Sequence, residues 1–402
     1  MRIALVHDYL NQYGGAERVL EEFHALWPDA PVYTSIYDPS RMPDRYGSWD
    51  IRVSGLDRVP FARRKHQALL FMLPQVFEAF DLDDYDLVIS SSSGFAHGVL
   101  TLPETLHICY CHSPPRFLWD YHNYARREGL GGAARLLVEQ ALPRLRAWDR
   151  VTADRADAWI ATSRLVSARI ERFYNKGSAI IPPPAPVHRF DVAREPGDYF
   201  LLLMRLVGWK RPDIAVEACT RLGLPLVVAG EGRERKRLQR LAGPSVTFVG
   251  HADDAQIKGL LAGCKALILP SEEDFGLTPL EAMATGRPVI AYGHGGVLDT
   301  VVPGRTGAFF EQQTTDAVAE ALMAFDPSHY NARDIRGHAE QFDSARFRAR
   351  IRAFVDEQLS AHLERRARRE RPLAWTPVAP RPRLVAGEAV AQSIEITNGA
   401  SL

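Results

Sequence analysis

The chain has few cysteines, no surplus of charge and no long apolar run, and each shortage excludes a class of protein. Four cysteines in 402 residues (Cys109, Cys111, Cys219, Cys264) are too sparse for a disulfide framework and point to a reducing compartment. Lysine plus arginine equals aspartate plus glutamate at 49 each, so no global field favours nucleic acid, and no nucleic-acid partner is expected. No stretch approaches the ~20 apolar residues of a membrane span. The opening MRIALVHDYL is apolar for only a few residues, carries Asp8 and lacks a small-residue cleavage site. A cytoplasmic protein is therefore expected, with any membrane contact peripheral, at the inner face of the cytoplasmic membrane. What is present, 46% hydrophobic residues, suits a globular chain of two domains plus accessories.

Apolar runs alternate with helical patterns along the chain, which predicts an α/β class with parallel sheets. Strands are expected at Arg2 to Asp8, Val32 to Tyr37, Leu87 to Ser92, Leu106 to Cys111, Trp159 to Ser163 and Ala179 to Ile181. The prolines Pro182, Pro183, Pro184 and Pro186 then remove backbone donors and stiffen the chain, marking a boundary. Residues 1–185 form the first domain, 186–198 a linker and 199–340 the second. Its strands are expected at Tyr199 to Met204, Pro225 to Ala229, Val246 to Gly250, Ala266 to Leu269 and Val289 to Tyr292. The basic, proline-rich residues 361–402 are expected to be disordered.

Strand ends in such sheets face ligands, and the residues found there carry chemistry. Gly14 and Gly15 open a helix after the first strand, where a close backbone and a helix N-terminus favour an anion; an ordinary turn is the alternative. The spacing is not GxGxxG, which counts against a nicotinamide enzyme. His112 follows the strand 106–111 within CHSPPRFLWD. Cys109, Cys111 and His112 lack a second ligand pair nearby, so no metal is expected. Arg116, Trp119 and Asp120 offer a cation, a stacking surface and a hydroxyl-binding carboxylate, although any of them could simply fix the loop. Arg205 and Lys210 flank a glycine-containing turn and can place two cations on one diphosphate.

The densest signal is Pro270 to Gly307. A carboxylate-rich loop (Glu272, Glu273, Asp274) leads through Phe275, Gly276 and Leu277 into a short helix, with Thr278 expected as its N-cap and Pro279 at its first position. Thr278-x-x-Glu281 also reads as a capping box, so Glu281 has a structural reading beside a functional one. Between residues 56 and 77, Arg58, Arg63, Arg64, Lys65 and His66 precede an apolar segment. That pairing suits anionic lipid or a lipid-linked diphosphate, with a solvated core helix as the alternative, and Pro74 excludes one long amphipathic helix.

Glu273 and Glu281, with seven residues between them, together with Phe275-Gly276, Gly286, Pro288-Val289, Gly295-Gly296 and Thr306-Gly307, resemble the donor-binding signature of family 4 retaining glycosyltransferases. The resemblance implies the GT-B fold: two Rossmann-like domains facing across a cleft, with a C-terminal crossing helix at 341–360 that returns to the first domain. It implies that Glu273 and His112 act on the donor sugar as catalytic groups. Gly14, Gly15, Arg205, Lys210, Phe275, Gly276, Leu277 and Glu281 would bind the donor, and Arg116, Trp119 and Asp120 would lie on the acceptor side. No cofactor is expected and the reaction would be metal-independent. Asp299 stands where many members have glutamate, which leaves its role open. The EDFG motif, the opening glycine loop and CHSPPRFLWD resemble bacterial O-antigen and exopolysaccharide mannosyltransferases. That implies GDP-mannose as the nucleotide-sugar donor and a lipid-linked glycan as acceptor. A UDP-sugar transferase, a nucleotide-sugar epimerase and a non-catalytic sugar-nucleotide-binding partner are the alternatives.

Overall fold

The computed structural model describes residues 1–59, 62–121, 125, 132–192 and 195–369. Its first sheet has seven strands: β1 (Ile3–His7), β2 (Val32–Thr34), β3 (Ile51–Val53), β4 (Leu87–Ser92), β5 (Leu106–Cys111), β6 (Ala158–Ala161) and β7 (Ala179–Ile180), in the order β3-β2-β1-β4-β5-β6-β7. The second has six, β8 (Phe200–Leu203), β9 (Leu226–Ala229), β10 (Val246–Gly250), β11 (Leu267–Leu269), β12 (Val289–Tyr292) and β13 (Gly307–Phe310), in the order β10-β9-β8-β11-β12-β13. Every pairing within both sheets is parallel. The central strands are buried along their length, as parallel strands covered by helices on both faces must be. Strand order reverses between β1 and β4 and again between β8 and β11, and these switch points open the crevices into which the loops after β1, β8 and β11 project.

Local chemistry sets the ends of these elements. The helix Arg164–Tyr174 starts where the Ser163 hydroxyl accepts the Val166 N–H, and it stops at Asn175 in the left-handed region. The helix Thr315–Ala324 is capped by Thr314, whose hydroxyl accepts the Ala317 N–H at 3.3 Å. After β12 the chain makes only a short 3-10 turn (Gly296–Asp299), because Gly295 and Gly296 pack flat against the preceding loop. Two strands go beyond the sequence reading. β3 is a three-residue, largely exposed edge strand, too short to stand out as an apolar run, and β13 begins at a glycine whose added Cβ would lie 2.0 Å from the Val289 carbonyl oxygen.

The final helix, Ser344–Arg369, crosses back to the first domain. Phe347, Ile351 and Val355 recur at helical spacing and enter the first domain's core, where Phe347 meets Phe23 and Tyr110 with ring centroids 5.9 Å apart in each case. Arg348 pairs with Glu22. The chain leaving the first domain and the chain returning to it run side by side: the Ala185 N–H donates to the Phe342 carbonyl at 2.8 Å. The helix continues through residues 361–369, so the expected disorder from 361 is corrected there; the buried His362 helps hold it by donating from Nε2 to the Glu104 carbonyl at 3.1 Å. Residues 370–402 lie outside the described part.

Candidate functional site

The loop after β11 is the centre of the site, and its shape is dictated by the glycines that face it. The Gly296 N–H donates to the Glu273 carbonyl at 2.8 Å. A Cβ at Gly295, which sits at φ +87°, would lie 2.5 Å from that same oxygen, and one at Gly296 would lie 2.2 Å from the Asp274 carbonyl. Only glycine permits so close an approach. Glu273 Oε1 accepts from Lys210 Nζ at 2.8 Å and from the Ser271 hydroxyl at 2.6 Å. Burial by itself would raise the Glu273 carboxyl, but the Lys210 cation, the Ser271 hydroxyl and Arg116 hold it below the usual glutamate value. It is an anion beside a cation at the crevice edge.

Gly276 at φ +92° turns the chain into the helix Leu277–Ala284, which has no side-chain cap. The helix thus begins earlier than the Thr278–Pro279 reading placed it, and the Thr278–Glu281 capping box does not form. Glu281 instead accepts from Arg18 Nη1 of the first domain at 2.5 Å. Gly14 stands at the N-cap of the helix Gly15–Leu26, and a Cβ on Gly15 would lie 3.1 Å from Leu277 Cδ1, so the two helix starts approach closely across the cleft.

His112 follows β5. Its N–H donates to the Ser92 carbonyl at 2.8 Å, and its Nε2 lies 2.8 Å from Ser91 Oγ. Burial pushes its imidazole down to about 3, which makes it neutral at ordinary pH. Gly15 and His112 of the first domain and Lys210, Glu273, Phe275 and Leu277 of the second line one cavity of about 280 Å³. Arg205 lies just outside that wall; it is exposed, with no carboxylate partner among the described residues.

The three acceptor-side candidates take different places. Arg116 pairs with Asp274 and lies 5.5 Å over the Trp209 ring. Trp119 donates to the buried Asp149 at 2.7 Å and stacks on Phe173 at 4.7 Å, which fixes it within its own domain. Asp120 closes the short helix Arg116–Trp119 and is exposed. Sequence reasoning missed the cross-domain partners. Arg169 also pairs with Asp274, and the Ser163 hydroxyl donates to the Asp274 carbonyl at 2.6 Å. Asp299 accepts the Arg164 N–H at 2.7 Å and pairs with its guanidinium, so here it joins the domains. No local pattern marks these arginines, since each stands in an ordinary amphipathic helix.

Among the described residues no three His, Cys, Asp or Glu side chains cluster as metal ligands. Cys109 and Cys111 are buried, and burial raises both thiols. The basic-apolar stretch breaks into the short helices Ala62–Lys65 and Leu73–Glu78 joined by a 3-10 segment. Arg63 pairs with Asp57 at 2.5 Å, while Phe71 is 59% exposed at the rim of a groove of about 620 Å³ lined by Val53, Leu56, Met72 and Phe80. The side chains of Arg64, Lys65 and His66 lie outside the described part. Among the described residues no helix is long and apolar enough to cross a membrane.

Residues 186–329 match the family model "Glycosyl transferases group 1". The chain is 30% identical over 207 residues to a GDP-mannose-dependent alpha-mannosyltransferase of Mycolicibacterium smegmatis, covering 48% of this chain and 53%, about half, of that relative. It is 27% identical to the alpha-1,3/1,6-mannosyltransferase ALG2 of Homo sapiens, covering 86% of this chain and 94% of the relative. In structure it resembles sucrose-phosphate synthase from Thermosynechococcus elongatus with a TM-score of 0.70 at 21% identity, over 90% of this chain and 100% of that one. The two Rossmann-like domains facing across a cleft are the GT-B arrangement.

Proposed function

We propose that this chain, whose residues 186–329 match the group 1 glycosyl transferase model, is a retaining glycosyltransferase that moves a sugar from a nucleotide-sugar donor to a lipid-linked glycan. The observation that carries the reading is the gathering of Lys210, Glu273, the turn from Phe275 to Leu277, Gly15 and His112 around one interdomain cavity. Transfer breaks the bond from the anomeric carbon to a phosphate oxygen. The electron pair leaves with the nucleoside diphosphate, and positive charge grows on the sugar ring. The reading assigns that charge, without a metal, to Lys210, to Arg205 and to the first-turn amides of the helix Leu277–Ala284. Glu273 holds sugar hydroxyls and favours the cationic ring. Glu281 takes the ribose hydroxyls, for which the Arg18 guanidinium must shift or share the carboxylate. The acceptor hydroxyl attacks from the face the diphosphate leaves, and the departing phosphate oxygen takes its proton, which retains the anomeric configuration.

Mannose is the sugar favoured by the names of both relatives, and GDP-mannose the donor favoured by that of the Mycolicibacterium smegmatis one. A lipid-linked acceptor of exopolysaccharide or O-antigen type, met at the inner face of the membrane, is favoured by the exposed Phe71 and Met72 beside the apolar groove. Calorimetric titration with GDP and UDP in the absence of metal, followed by transfer assays with a polyprenyl-diphosphate-linked glycan, tests both. Tighter GDP binding and a mannosylated product are expected. Tighter UDP binding overturns the donor, and binding of neither overturns the diphosphate site.

A further inference from the structure

Three consecutive serines of β4 each meet a histidine. Ser90 Oγ lies 2.9 Å from His107 Nε2, and Ser92 Oγ lies 3.3 Å from His97 Nδ1. Ser91 Oγ serves two rings at once, 3.1 Å from His7 Nδ1 and 2.8 Å from His112 Nε2. Behind His7, the Glu17 Oε1 atom lies 3.6 Å from His7 Nε2, with both side chains 3% exposed. A line Glu17, His7, Ser91, His112 therefore runs from the first turn of the helix Gly15–Leu26, across the end of β1 and β4, to the cavity wall.

Each link in that line fixes the next. At 3.6 Å the Glu17 carboxylate is beyond hydrogen-bond range, but its buried charge favours an N–H over a lone pair on the His7 nitrogen facing it. With that one N–H on the ring, His7 Nδ1 is left as an acceptor. The single hydroxyl hydrogen of Ser91 then points to His7, and its lone pair faces His112. His112 Nε2 must bring the hydrogen to that contact. Its Nδ1 remains a bare acceptor, for which the described residues supply no hydrogen-bond partner. Serine alone, with one donor and two acceptor lone pairs, would accept either polarity; the charge of the carboxylate at the far end sets which polarity is favoured.

We propose that Glu17, His7 and Ser91 are positioning residues that hold His112 in the Nε2–H tautomer, so that its Nδ1 accepts a hydrogen bond from a hydroxyl of the donor sugar. The sugar-facing half of this inference rests on the transferase reading above; the tautomer half does not. A site built to accept from a hydroxyl rejects a sugar analogue that lacks that hydroxyl or replaces it with an ether, because the acceptor is then left unpaired in a buried wall.

The test is a nitrogen-15 correlation spectrum of the imidazoles at pH 8 in the intact protein, without any donor. The parent should show His112 with its hydrogen on Nε2. In Glu17→Gln the amide can donate to His7 Nε2, which lets the line run in reverse, and a second His112 population with the hydrogen on Nδ1 should appear. Ser91→Ala should give a mixture for a different reason, loss of the only partner that distinguishes the nitrogens, and Ser91→Thr should restore the parent form. A parent carrying its hydrogen on Nδ1, or variants whose His112 signals match the parent, would overturn the proposal. In turnover, Glu17→Gln should lower kcat/KM for the sugar donor by about tenfold, the worth of one neutral hydrogen bond, with nucleoside diphosphate affinity unchanged. An intact tautomer effect with no donor turnover in any form would refute the transferase reading and leave the relay standing.

Discussion

Replacing Glu273 by glutamine separates its two proposed duties. The amide keeps the volume and can still accept from the Ser271 hydroxyl, now 2.6 Å away, so the loop braced by Gly295 and Gly296 should hold its shape. What disappears is one negative charge. In the resting protein that charge pairs with Lys210 at 2.8 Å, with both side chains largely shielded from solvent. During reaction it would face the cationic sugar ring. A fixed group aimed at developing charge is worth about 3 kcal/mol, and a tenfold rate change costs about 1.4 kcal/mol, so kcat should fall about 150-fold. Nucleotide affinity should move the other way, because Lys210 loses its competing partner and becomes freer to meet the diphosphate. Steady-state transfer kinetics and calorimetry on the same preparation read both quantities. A kcat within threefold of the parent, or a loss of nucleotide affinity as large as the loss of turnover, would refute the assignment of Glu273 to the sugar.

Gly295→Ala forces a Cβ to within 2.5 Å of the Glu273 carbonyl at a backbone conformation that essentially only glycine adopts; a conformational cost of about 1–3 kcal/mol plus the clash should lower the denaturation midpoint and turnover together, and an unchanged midpoint would contradict the bracing role. Acid should destabilise the fold through two buried imidazoles, His107 pushed down to about 4 and His112 to about 3. Their folded values lie below the unfolded value, so between about pH 6.5 and 4 the unfolded chain binds protons that the folded one refuses, and stability falls as pH falls. His107 alone accounts for about 3 kcal/mol of that loss, and His107→Gln should flatten the stability profile over this window; an unaltered profile would refute it.

Much of the architecture is legible in the sequence because parallel strands buried on both faces read as short apolar runs, and β4, β5 and β12 stand where those runs stand. β13 was not legible, since its start is set by a backbone contact that only glycine allows. At the site, the motif residues gather because each follows a strand that ends at the same edge. The charges that join the domains were hidden. Arg18, Arg164 and Arg169 occupy helices whose composition explains them as solvated faces, and nothing within a few residues tells that Glu281, Asp299 or Asp274 waits on the other domain. The serine run at 90–93 was visible, but its histidine partners come from β1, β5 and the loops after β4 and β5, and pairing across strands carries no signature in one sequence.

The return of Ser344–Arg369 to the first sheet has a consequence for how the chain is made. Phe347, Ile351 and Val355 complete the packing around Phe23 and Tyr110, yet they emerge only after the whole second domain. The half that is synthesised first must therefore wait with an unfilled apolar face until the far end of the molecule arrives, while the half made later already has all its own strands in sequence. Order of birth and order of completion are inverted. A ribosome stalled before residue 344 would hold a finished second half on an unfinished first one, and that exposed face around Phe23 is where a chaperone would have most to cover.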